Sequence, residues 1–83
     1  MLTCHQYDYI EIVCMYHYPV KISLKSGGII EGVAIDTVRD QKKQECIKID
    51  NNGQELAIVL DHMVSLLVMV DNPHLQQINF VDS

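Results

Sequence analysis

Apolar positions along the chain repeat with two different periods, and the change from one to the other divides it. Over residues 3–17, Tyr7, Ile10, Cys14 and His17 recur at helical spacing, with Tyr9, Val13 and Tyr16 widening the stripe. That period predicts an amphipathic helix. Asp8, Glu11 and Met15 fall on its other side, so two carboxylates share one exposed face. Thr3 and Gln6 have the spacing of a capping box, which would satisfy orphan backbone donors at the helix start. Pro19 closes the helix, because the residue before a proline avoids the α region.

Beyond Pro19 the period becomes two. Val20, Ile22 and Leu24 alternate with Lys21 and Ser23, a half-buried strand. Ser26-Gly27-Gly28 supplies a hairpin turn, and Ile29 to Val38 reads as a long strand. Gly32 inside that strand predicts a bulge or strong bend. Arg39 to Gln44 is a polar loop, Glu45 to Ile49 alternates again, and Asn51-Asn52-Gly53 is a turn signal. Leu56, Ile58 and Leu60 form the next inner face, with Asp61-His62-Met63 a tight link to Val64–Val70. That last strand is apolar on both faces, so it is central or lies at an interface. Asn72-Pro73 breaks it, and Ile78 to Val81 adds a short final strand. The expected fold is mainly β with one N-terminal helix, a small antiparallel barrel or sandwich of five to six strands.

Length and charge narrow the class. The 83 residues are room for one domain, 1–83. An apolar fraction of 48% excludes a disordered acidic tail. The net charge is -5, yet all six Lys and Arg fall between Lys21 and Lys48. The helix face is therefore expected to be purely acidic, and general nucleic-acid binding, which needs clustered cations, is disfavoured. No apolar run approaches a membrane span, and the start lacks the pattern of a secretory signal. Three cysteines without paired spacing (Cys4, Cys14, Cys46) suit free thiols in a reducing cytosol, so a cytoplasmic protein is expected. A core this small makes a monomer or a weak dimer plausible.

Enzymatic and metal chemistry find little support. Structural zinc sites draw on closely spaced ligand pairs, whereas only Cys14 and His17 are near one another here, on the apolar stripe. No nucleophile signature is present, and His62 with Asp61 sits in an inter-strand turn. Gly27-Gly28 is not followed by a helix, so it lacks the free N–H groups of a phosphate cradle. Neither a metal, another cofactor nor a catalytic residue is expected. What remains is an interaction surface. Tyr7 and Tyr9 flank Asp8 with Glu11 one turn on, suited to a basic partner. Tyr7 serves equally well as a core residue at the start of the stripe.

Two parts of the chain carry a resemblance. Val20-Lys21-Ile22-Ser23-Leu24-Lys25-Ser26-Gly27-Gly28, continued by Gly32 and Asp36, resembles the first motif of Sm-like barrels. Around it, Cys4-x-x-Tyr7-Asp8-x-x-Glu11-x-x-Cys14, Glu45-Cys46-Ile47-Lys48-Ile49 and Leu60-Asp61-His62-Met63-Val64 are similar to the Rof (YaeO) family of bacterial Rho-binding antiterminators. The resemblance implies an inhibitor of the transcription termination factor Rho, a hexameric RNA-dependent ATPase. It would occupy Rho's primary RNA-binding site, block RNA loading and cause antitermination. By position, it assigns the contact to Tyr7, Asp8 and Glu11, with Arg39, Lys43 and Gln44 in the polar loop as a second region. The alternative is an Sm-like RNA-binding or chaperone protein. Asp61-His62-Met63 stands against it, lacking the glycine or basic residues of the second Sm motif.

Overall fold

The computed structural model describes residues 4–70 and 77–80. Thr3, Asn72-Pro73 and Val81, to which the sequence assigned a cap, a break and a strand end, lie outside them. The described chain runs α1 (Cys4–Met15), β1 (Pro19–Leu24), β2 (Ile29–Arg39), β3 (Glu45–Asn51) and β4 (Gln54–Val59). A short 3-10 helix (Leu60–His62), β5 (Met63–Val68) and β6 (Gln77–Asn79) follow.

α1 is shorter than its apolar stripe predicts, and the reason is its C-terminus. His17 adopts φ 52, a left-handed conformation. The amides of His17 and Tyr18 donate back to the carbonyls of Cys14 and Val13, at 3.1 Å each. That pair of bonds is a Schellman cap, which satisfies two of the helix's orphan carbonyls. His17 is thus exposed at the cap rather than on the buried stripe, and its Nδ1 lies 3.1 Å from the Ala34 carbonyl oxygen of β2.

All strand pairs are antiparallel, in the order β4-β3-β2-β1-β5-β6. β5, the doubly apolar strand, lies between β1 and β6, in keeping with a central position. Of barrel and sandwich, the pairing does not give a closed barrel: β4 and β6 remain the two ends of the sheet. Asn52 and Gly53 both have positive φ (54° and 89°), giving the tight β3–β4 hairpin the turn signal predicts. The register shift in β2 falls between Ala34 and Asp36, not at Gly32. Gly32 answers a different need. A Cβ there would collide with the Ile49 side chain and lie 2.7 Å from the Asp50 carbonyl oxygen, so a glycine lets β2 and β3 approach closely.

The helix lays Ile10, Val13 and Cys14 onto the sheet, where they join Val20, Ile22, Ile47, Ile49, Met63 and Leu66 in one buried cluster. Each buried aliphatic side chain contributes roughly 1.5–3 kcal/mol. The ion pairs Arg39–Glu45 and Lys48–Glu55 are solvent-facing, at 3.4 and 3.5 Å, and such pairs contribute about 0–1 kcal/mol. Apolar burial therefore holds the fold, and charge is free to serve the surface.

Candidate functional site

α1 turns its buried stripe to β2, which leaves Asp8, Glu11 and Met15 exposed on the outer side, as the sequence pattern requires. Tyr7 is the hinge between the two sides. It is half-buried and packs against the core, as the core reading expects, with part of the side chain left at the surface. Its hydroxyl shares the cleft with the Glu45 carboxylate, which interacts with it. Burial pushes the phenol pKa up. The interaction with Glu45 and the charges of Glu45 and Asp61 push it the same way, against a smaller opposing effect of Arg39.

Antiparallel pairing of β2 with β3 puts Arg39 directly across from Glu45, and Arg39 Nη2 reaches Glu45 Oε1 at 3.4 Å. Tyr7, Glu11, Thr37, Val38, Arg39 and Glu45 together line a cleft of about 270 Å³ between helix and sheet. Glu11 and Thr37 also border a second cleft of about 420 Å³, which runs past Cys14, Met15, His17 and Asp36. The helix face is thus less purely acidic than the linear charge distribution suggests, because Arg39 stands at its edge.

Of the six expected contact residues, Tyr7, Glu11 and Arg39 meet in the cleft. Asp8 is exposed one residue along the helix. Lys43 and Gln44 sit apart, in an ordered turn. Asp40 Oδ1 accepts from the amides of Lys42 (2.8 Å) and Gln44 (2.9 Å), and the Asp40 amide donates to the Gln44 carbonyl at 3.0 Å. Lys43 has φ 63 there, with its side chain in solvent. Glu45 was missed as a site residue. Its signal was available: an acidic residue opening a strand directly after a polar loop that begins at a cation.

The two buried thiols are held in their protonated form. Burial, reinforced by Asp36 and Glu11, pushes the Cys14 thiol up to about 12, so it stays protonated and a poor nucleophile. Cys46 is likewise raised, chiefly by burial, then by the Asp40 charge, against a smaller lowering by its backbone hydrogen bond to Asp40. Among the described residues no group of three or more His, Cys, Asp or Glu side chains is placed to hold a metal ion, and no helix is long and apolar enough to cross a membrane.

Fold and surface together define a small antiparallel β module with a single helix laid across it and its charged groups on display. The family model described as modulator of Rho-dependent transcription termination (ROF) matches residues 1–80. The chain belongs to that family. Among solved structures, YaeO of Vibrio cholerae O395, described as bound to magnesium, is 41% identical. It superposes with a TM-score of 0.86, covering 92% of this chain and 99% of that one. Comparison with curated proteins gives no match.

Proposed function

We propose that this single-domain protein is a cytoplasmic inhibitor of Rho, without catalytic activity of its own, that works by occupying the hexamer's primary RNA-binding site. Family membership supplies the process, modulation of Rho-dependent termination. The carrying observation is the convergence of Tyr7 and Glu11 from α1 with Arg39 from β2 on one cleft, beside exposed Asp8. A site that accepts single-stranded nucleic acid is basic and lined with aromatic rings. Asp8 and Glu11 stand in for two phosphates there and form charge-assisted hydrogen bonds with Arg or Lys of the partner. Tyr7 offers a ring edge beside Glu45. Lys43 and Gln44 make a second, peripheral contact from their turn. The protein acts as a monomer or weak dimer and does not itself bind RNA.

The test is direct binding to purified Rho by calorimetry. Wild type binds, while Asp8→Lys and Glu11→Lys lose at least about tenfold in affinity with unchanged circular dichroism. Wild-type affinity in both variants would dismiss the helix face. Tight binding of labelled RNA by the protein alone would favour the Sm-like RNA-binding alternative.

A further inference from the structure

Gln6 has the spacing of a local cap, and its side chain also reaches across the fold. Its Nε2 donates at 2.9 Å to the backbone carbonyl of Asn79, 73 positions away in β6. The two ends of α1 are thus fastened by different means. The C-terminal end is tied to β2: the Ala34 amide donates to the Tyr18 carbonyl at 3.0 Å, and His17 Nδ1 meets the Ala34 carbonyl. The N-terminal end, which carries Tyr7 and Asp8, is tied to β6.

β6 is itself a short element, held at several points. Its three residues pair with β5 from Ser65↔Asn79 to Leu67↔Gln77. Ile78 is buried at 5% exposure, and the Phe80 amide donates to the Val64 carbonyl at 2.8 Å. Phe80 packs against the core cluster, as Tyr7 does. A helix start has unbonded amides and frays first, so a tether one residue before Tyr7 acts where order is otherwise least.

We infer that β6 is a strap for the recognition helix and that Gln6 is a positioning residue, fixing the turn that presents Tyr7 and Asp8 to Rho. The inference deepens the proposed function and rests on it. The strap limits how far the first turn opens, so the entropy of ordering Tyr7 and Asp8 is settled before Rho arrives.

Two variants and two readouts test it. Gln6→Met keeps length and helix propensity but removes the donor, and Ile78→Ala loosens the strap from its far side. Hydrogen exchange in the free protein is followed at the amides of Asp8 to Glu11, with Ile47 and Ile49 of β3 as internal reference. Both variants should raise helix exchange about threefold, the effect of one modest hydrogen bond. The reference amides should hold still in Gln6→Met. Affinity for Rho should fall by a similar factor, and the double variant should lose less than the product of the two. Unchanged helix exchange in both variants would overturn the strap whatever Rho does. Faster exchange with wild-type Rho affinity would overturn the positioning role, provided Asp8→Lys still weakens binding. If Asp8→Lys also binds as wild type, the helix-face reading has failed instead.

Discussion

Gly32→Ala is the substitution whose effect follows most directly from the geometry. Gly32 pairs with buried Val20 across β1 and faces Ile49 and Asp50 of β3. An added methyl would meet the Ile49 side chain well inside van der Waals contact and lie 2.7 Å from the Asp50 carbonyl oxygen. Ile49 is fully buried in a close-packed interior, so its side chain has little room to yield. The Asp50 carbonyl belongs to the strand backbone and cannot step aside without shifting β3. Overpacking of this kind costs about 1–3 kcal/mol, and the backbone clash places Gly32→Ala at the upper end. For a domain of this size, each kcal/mol lowers Tm by about 4–8 °C, so a fall of roughly 10–20 °C is expected. Gly28→Ala is the control, because a Cβ there meets only Leu24 Cδ1 at 3.6 Å and Ser26 Oγ at 3.8 Å. Thermal melts followed by circular dichroism should separate the two variants cleanly. A Gly32→Ala Tm within about 2 °C of wild type, or equal to that of Gly28→Ala, would refute the close approach as a packing constraint.

Three further outcomes follow from the site. Because folding raises the Cys14 pKa from an ordinary 9.0 to about 12, the unfolded chain loses that proton first. Stability is therefore whole below pH 9 and falls as pH climbs from about 9 toward 12, at up to about 1.4 kcal/mol per pH unit from this group. Cys14→Ala should flatten the slope in urea titrations across that window, and an unaltered slope would contradict the assignment. Tyr7→Phe removes the interaction of the hydroxyl with Glu45 while Arg39 still pairs with that carboxylate. The loss should be about 1 kcal/mol or less, read as a Tm drop of a few degrees, whereas a collapse of the fold would show a larger role. Binding to Rho should weaken steadily as salt is raised from about 0.05 to 0.5 M, since exposed charge pairs are screened; salt-independent affinity would remove Asp8 and Glu11 from the contact.

Local periodicity made most of the elements legible. The Ile10, Val13 and Cys14 centre of the helix stripe, the β1–β2 and β3–β4 hairpins and the exposed Asp8/Glu11 face follow from spacing and turn residues alone. Tyr9 and Tyr16, expected to widen the stripe, are instead exposed at 37% and 52%. What the chain did not disclose are features made by distant partners. Gln6 matches a cap for a residue three positions away, and only the arrival of β6 beside the helix shows its other use. His17 continues the apolar stripe in projection, but the capping bonds from the His17 and Tyr18 amides to the Cys14 and Val13 carbonyls turn it out of the helix. Gly32 looks like a bulge because a bulge and a close approach leave the same mark in sequence, and only the position of Ile49 tells them apart. Glu45 reads as the first residue of a strand until the β2–β3 register brings it to Arg39 and Tyr7. The strand order, with β4 and β6 at the two ends of the sheet, is likewise set by long-range pairing and not by any local pattern.

The central claim is that the helix face occupies Rho's RNA-binding site, and displacement of labelled single-stranded RNA from the Rho hexamer measures it most directly. Wild type should release the RNA with saturable dependence on protein concentration, while Asp8→Lys and Glu11→Lys, equally folded, should leave it bound. RNA retained by Rho at saturating wild-type protein would contradict the account, as would displacement by both variants at the wild-type concentration.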